Sequence, residues 1–424
     1  MSELDVSSET PARRRASSPF LPNRKAKTPA GSAITAALAA MEPTSAHPLV
    51  DATAFALIVP GARHGLTPFQ VSKAQELLAD VLKHEINAYA PNSARSIRAD
   101  WRHWLAFCIQ HDRVCLPVAF DDLAYFLKAL VAAGYKRATL DHMLFTLRLM
   151  SQLFSSPSPT DSIQFKWFWR SLCRSDALKR AQHQAKGLNI EMVDDVVHAA
   201  AANALEGDTA DLQLVSKRAM AVRDAAFVAL AYQLMARSSE MVVLRWEDVA
   251  FDEGEDDGAT CVIRRSKTDQ EGKSIKKYIQ SDAATLLKSW QKLRLAAREL
   301  LWPEGQLQLD SNPYIFHRVP RYRVLAPRPG RQTAADRWDV ALTVREGDRI
   351  LKRTVGIAYS SHSARVGAAQ DLTSAGEELP YIMQEGRWTS TAMPARYAAN
   401  ELAVRAGKKR KHSLDKLRAA RRND

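Results

Sequence analysis

The chemistry-bearing residues of this chain gather toward its C-terminus, where Ser360 to Asn400 reads SSHSARVGAAQDLTSAGEELPYIMQEGRWTSTAMPARYAAN. His362 and Arg365 stand three residues apart, which on a helix means one face, about a turn up. Ser361 is suited to be the N-cap, so the imidazole and guanidinium fall in the first turn. Unpaired backbone N–H groups and the helix dipole favour an anion there. Trp388 follows, and Tyr397 comes nine residues later. A phosphate held at such a helix start, with a tyrosine hydroxyl beside it as nucleophile, is a workable phosphoryl-transfer site. The plainer alternative is an amphipathic helix with a surface His–Arg pair and a buried Trp and Tyr.

Upstream elements must position these groups. The segment 216–249 carries the strongest helical pattern of the second half, with Met220, Phe227, Leu230 and Leu234 as its buried stripe. Arg237 and Glu240, three residues apart, follow where that helix ends; alone, such a pair is a surface ion pair of little worth. Thr260–Arg265 and Lys276–Gln280 alternate as a hairpin, with Lys267 at the start of the turn between them. An amphipathic helix is expected over 282–302, a Pro- and Arg-rich loop over 303–336, and a further helix over about 333–351. The loop holds Arg318, Arg321, Arg323, Arg328 and Arg331, which together suggest a phosphate-facing surface. Beyond Tyr397, Leu414 and Leu417 among lysines and arginines suit a short amphipathic helix, while Lys408–Lys411 reads either as a basic tail or as a DNA contact.

The first half is organised differently. Residues 1–65 read as a disordered basic Ser/Pro-rich tail, with arginine and lysine clusters at 13–15 and 24–27. Four helices, about 67–89, 93–111, 121–133 and 137–155, and a fifth near 164–174 make 66–175 an all-α domain, with breaks at Pro91-Asn92, Pro117 and Gly134. Asp121 or Asp122 would begin the third helix. Trp101, Trp104, Leu105 and Cys108 form the apolar stripe of the second. Arg95, Arg98 and Arg102 share another face of it, suited to a DNA major groove, with a solvated charged face as the plainer alternative. Lys136, Arg137 and His142 are further candidate DNA contacts. Residues 176–189, basic and polar, read as a linker to a second domain over 190–424.

Composition sets the frame. The chain has 424 residues, enough for two folded domains and tails, and a formal net charge of +13, suited to a polyanionic partner. No apolar run is long enough for a membrane span, and the N-terminus lacks a signal-peptide pattern, so a cytoplasmic location is expected. Four scattered cysteines lack zinc-type pairing, and Cys108 and Cys115 read as packing residues. No P-loop or metal-ligand cluster is evident, so the expectation is no cofactor and no metal.

The runs HSARVGAA, IMQEGRWT and AYQLMARSSEMVVLRWEDV, the RSKT turn and the Trp-to-Tyr spacing resemble the tyrosine recombinases, the lambda-integrase family, in its phage members above all. The 66–175 region resembles that family's N-terminal DNA-clamping domain more diffusely, through helix order and the GYKRATLDHML helix start. The resemblance implies a mainly α protein: an all-α DNA-clamping bundle, then an α+β catalytic domain with a small antiparallel sheet. It implies a catalytic set of Arg237, Glu240, Lys267, His362, Arg365, Trp388 and Tyr397. Tyr397 would form a 3′-phosphotyrosine, the two arginines and the Trp388 N–H would hold the phosphate, and His362 would also move protons. Lys267 would be the general acid and Glu240 would orient the arginine and histidine. The implied activity is site-specific recombination through a Holliday junction by a homotetramer on two DNA duplexes, monomeric or weakly associated when free. Accessory DNA-bending proteins are compatible with it, as is a bacterial or phage-encoded, nucleoid-associated setting. Alternatives that share the chemistry are a type IB topoisomerase-like enzyme and a telomere resolvase; a noncatalytic DNA-binding protein on the same fold is another. One departure stands out: Pro394 lies three residues before Tyr397, so the nucleophile's helix begins at about Met393 or is kinked.

Overall fold

The computed structural model describes residues 62–83, 89–178, 184–204, 212–252, 254, 257–264, 274–301, 313–317 and 341–423. Lys267, Arg331, the other arginines of the 318–328 stretch, residues 1–61 of the expected tail and 179–183 of the expected linker lie outside the described residues. The chain divides into two compact units, Met1–Gln182 and His183–Asp424.

Among the described residues of the first unit, five helices surround an aromatic core. They are α1 (Pro68–Lys83), α2 (Pro91–Gln110), α3 (Phe120–Ala132), α4 (Arg137–Leu153) and α5 (Ile163–Arg174). Pro91 opens α2 rather than breaking the chain before it, because the missing N–H of a first-turn proline has no helical partner to lose. Asp121 and Asp122 fall inside the first turn of α3, favourable to the dipole, while Ala119 is the N-cap. Trp101, Trp104, Leu105 and Cys108 are fully buried, and the Trp104 indole donates to the Cys115 carbonyl at 2.9 Å. Burial pushes the thiols of Cys108 and Cys115 up, as for packing residues. Residues 63–65, at the end of the expected tail, are bonded to the bundle. Cys115 N donates to the Arg63 carbonyl at 2.8 Å, and Gly65 N to that of Leu116 at 2.8 Å, fixing this stretch to the bundle.

The second unit is built around one helix. After α6 (Ile190–Ala204), α7 (Leu212–Gln233) buries Val222 and every residue from Ala225 to Ala231, so it is enclosed on all sides rather than along a stripe. Met220 is only partly buried. The helix ends just before Arg237, as expected, and a turn leads to the four-residue α8 (Ser238–Met241). A three-stranded antiparallel sheet follows, β1 (Val249–Phe251), β2 (Ala259–Ile263) and β3 (Ile275–Ile279), in the order β1-β2-β3. Its register pairs Cys261 with Val249 and with Lys277.

Then come α9 (Ser281–Leu301), α10 (Val344–Thr354) and α11 (Ser363–Ser374), which with α6 pack around α7. The helix expected from about 333 starts only at Val344. Thr343 caps it: its hydroxyl accepts from Glu346 N at 3.3 Å while the Glu346 carboxylate accepts from Thr343 N at 2.8 Å. The chain closes with α12 (Leu379–Gly386), α13 (Ala392–Tyr397) and α14 (Ala399–Asn423). Leu414 and Leu417 therefore lie on a long helix rather than a short one of their own, exposed at 43% and 63%. Among the described residues no helix is long and apolar enough to cross a membrane.

Candidate active site

The site lies where α7, α11, α12 and α13 meet. At the start of α11 the N-cap is His362, not Ser361, whose backbone N–H donates to Asp348 at 2.9 Å and whose hydroxyl binds the same carboxylate. The helix thus starts one residue later than expected, and Arg365 keeps its place in the first turn. Only 1% exposed, Arg365 donates to the carbonyl of Met235 at 2.6 Å and to that of Gly386. Its guanidinium stacks 4.4 Å from the Trp388 ring centroid. Burial, then the charges of Arg237 and Arg387, lower its pKa to about 9, so it stays protonated at neutral pH.

Glu240 is buried and fully engaged. Its carboxylate accepts from the Arg237 guanidinium at 2.8 Å, the Arg237 backbone N–H at 2.9 Å and the Arg387 guanidinium at 2.6 Å. Arg387 also donates to Met235 O at 3.3 Å. One carboxylate therefore holds two guanidiniums, and a third, Arg365, shares the Met235 carbonyl with one of them. Met235 and Arg387 both adopt left-handed backbone, with φ of 45° and 53°, a conformation that costs a non-glycine residue about 1–2 kcal/mol. That geometry turns the Met235 carbonyl and the Arg387 side chain into the site.

Sequence reasoning missed Arg387 and Lys277. Nothing local marks Arg387, since a lone arginine in a turn reads as surface charge. For Lys277 a signal existed: in β3 it alternates with Ile275 and Ile279, which places it on their inward face. It is buried, pairs with Glu385 at 2.7 Å, and has its pKa lowered by burial against the opposing effect of Glu385.

Tyr397, 5% exposed, is the last residue of α13. Its hydroxyl lies 2.5 Å from His362 Nε2, and its ring meets His362 and Trp388 edge-on at centroid distances of 5.3 and 5.6 Å. Burial raises the phenol's pKa against the charges of Arg365, Arg396 and Arg237. Partial desolvation, then Arg365 and Arg237, lower that of His362. At neutral pH the phenol is therefore protonated and the imidazole neutral, so the O–H donates and Nε2 accepts. Pro394 is accommodated because α13 has only six residues and begins at Ala392, which leaves the proline in its first turn. Trp388 acts here as a wall beneath Arg365 and beside Tyr397. The rival Tyr381 sits on α12, 44% exposed.

The candidate DNA contacts of α2 and α4 belong to the first unit. Arg95 is exposed and donates to Asn92 at 2.6 Å; Arg98 and Arg102 are partly buried on the same helix. Lys136 and Arg137 are exposed at the start of α4. His142, its side chain 38% exposed, has its Nδ1 paired with Asp100, which also accepts from Thr146 at 3.3 Å.

Recombinase cre of Escherichia phage P1 is 26% identical over 325 residues, covering 74% of this chain and 85% of that protein. Among solved structures, the XerH site-specific recombinase bound to a palindromic difH substrate is 16% identical, with a TM-score of 0.48 over 80% of this chain and 88% of the other. The Tn1549 transposon integrase in complex with a circular intermediate DNA is 12% identical, with a TM-score of 0.47 over 80% of this chain and 99% of the other. Residues 208–403 match the phage integrase family model, a span that runs from before Arg237 to beyond Tyr397. The phage integrase match thus covers the span that carries the site, and the similarity to Recombinase cre reaches well outside it.

Proposed function

We propose that this chain is a site-specific DNA recombinase that cuts and rejoins duplex DNA through a 3′-phosphotyrosine on Tyr397. The observation that carries this reading is the hydroxyl of Tyr397 held 2.5 Å from a neutral His362 imidazole, at the edge of an arginine cluster. As the tyrosine oxygen attacks phosphorus, His362 takes its proton. Arg237, with 22% of its side chain open, and Arg365 stabilise the charge gathering on the nonbridging oxygens. The Trp388 N–H adds a donor to the phosphate, and Glu240 orients Arg237. Lys267, between β2 and β3 in the sequence, protonates the departing 5′-oxygen. The covalent link retains the energy of the broken ester, so the strand can be rejoined to a second duplex.

Arg95, Arg98, Arg102, Lys136, Arg137 and Arg331 are proposed to grip the DNA backbone. Assembly is as a tetramer on two sites, passing through a Holliday junction. The decisive assay uses DNA with two copies of the cognate site, sought in the DNA flanking the gene. Exchanged products and a trapped four-way junction are expected; relaxation of supercoils without exchange would replace this reading with a topoisomerase one.

The acid limb of the cleavage rate follows from His362. Because its pKa lies below the usual 6.5, the imidazole stays a proton acceptor through mildly acidic pH and is lost only below that. Single-turnover cleavage should hold steady from pH 8 down through about 6.5, then fall by about tenfold per pH unit once the imidazole protonates. His362→Phe should be slow throughout and lack this limb. A limb that persists in the variant would assign it to another group.

A further inference from the structure

The main-chain carbonyl of Tyr397 is held from two directions. Gln184 Nε2 donates to it at 2.9 Å and Gln370 Nε2 at 3.1 Å. A carbonyl oxygen only accepts, so each glutamine presents its NH2, and the two bonds occupy both lone pairs. The carbonyl closes α13, and α14 starts two residues on at Ala399, with Ala398 between them at φ −101° and ψ 27°. The nucleophile therefore stands on a six-residue helix at a break in the chain, where backbone orientation is set by what holds it from outside.

Both glutamines come from fixed elements. Gln370 is on α11, the helix that begins with His362 and carries Arg365. Gln184 lies 213 residues from Tyr397, on the segment that precedes α6. That segment is bound along α11: Leu188 N donates to Ser363 O at 3.0 Å, and Ile190 N to the Asp371 carboxylate at 2.7 Å. The same carboxylate accepts from the Tyr232 hydroxyl at 2.6 Å. At Gly187 an added Cβ would lie 3.1 Å from the Cα of Gly367 and inside the Gln370 amide; at Gly367 it would overlap the Leu188 carbonyl. Only a pair of glycines lets the two backbones run this close.

We propose that Gln184 and Gln370 are positioning residues for the nucleophile, and that the segment leading into α6 is thereby part of the mount of Tyr397. This inference rests on the reading of Tyr397 as nucleophile. A small rotation of its peptide swings the hydroxyl, at the far end of a long rigid side chain, away from His362 and from the in-line path to phosphorus. Attack is steeply sensitive to such displacement. Gln→Glu at either position keeps the shape, removes the donor and sets a carboxylate oxygen against the carbonyl.

The test compares the full-length parent, Gln184→Glu, Gln370→Glu and the double variant in single-turnover adduct formation. Substrates are a normal duplex and one with a 5′-bridging phosphorothiolate, whose sulfur leaves without needing a proton. Each single variant should be slower by about threefold to tenfold on both substrates, and the double variant slower still, with DNA affinity and melting temperature held. 3-Fluorotyrosine placed at 397 should give a 19F resonance that shifts or broadens in both variants. Unchanged rates would overturn the proposal. So would a defect that disappears on the phosphorothiolate, which would place the glutamines on leaving-group protonation, or one matched by lost affinity or stability. If the parent itself formed no adduct, the nucleophile reading would fall. The 19F signal would then still decide whether the glutamines hold Tyr397, an unmoved resonance overturning it.

Discussion

Tyr397→Phe should eliminate the SDS-resistant protein–DNA adduct, a loss of at least about 10⁴-fold, while DNA affinity and melting temperature stay close to those of the parent. The variant removes one oxygen. The ring keeps its edge-on contacts with His362 and Trp388 and its place among Met235, Val366 and Ile382. His362 is open enough for water to replace the lost phenol, so the stability change should stay within about 1 kcal/mol. The measurement is a denaturing gel of parent and variant on a nicked duplex carrying the cognate site, beside binding and melting curves. An adduct of equal yield in both proteins would move the nucleophile elsewhere, with the exposed Tyr381 the first residue to examine. Tight binding without any adduct, on a verified site, would favour a noncatalytic DNA-binding role.

Glu240→Ala should be the most destabilising single change in the site, at about 3–5 kcal/mol. The reason is what it leaves behind. Arg387, whose side chain is 4% exposed, loses the carboxylate that pairs with it, and Arg237 loses both a guanidinium bond and the acceptor of its backbone N–H. Burial already lowers the pKa of Arg387, and Glu240 is the chief influence in the other direction. Urea titration should show a lower midpoint with little change in slope. Glu240→Ala combined with Arg387→Met should recover part of the loss, since the stranded charge is gone. A cost under about 1 kcal/mol for the single variant would mean that the carboxylate is dispensable to folding.

His362, Arg365 and Tyr397 were legible from a helix start and a nearby hydroxyl, whereas Arg237, Glu240 and Trp388 were singled out only through the family resemblance; the structure brings these six together. Arg387 was not legible. Its importance comes from a left-handed backbone and from a partner 147 residues away, neither of which leaves a mark in its neighbours. Helix existence in 66–175 and the β2–β3 pair followed from periodicity, whereas helix starts depended on particular caps. Ser361 is spent on Asp348, and Thr343 takes up the cap of α10. The all-round burial of α7 was masked because the alanines between its large residues carry little hydrophobic signal, yet they are what lets four helices approach it.

The left-handed residues Met235 and Arg387 carry a consequence for anyone seeking a sturdier protein. Both are positions at which a thermostabilisation scheme based on backbone preference would install glycine, since relief of left-handed strain there exceeds the added chain entropy of the unfolded state. At Arg387 that exchange would delete a guanidinium bound to Glu240, and at Met235 it would slacken the peptide that accepts from Arg365. Sturdiness and competence are opposed at these two residues, and the strain belongs to the working parts rather than to a reserve open to optimisation.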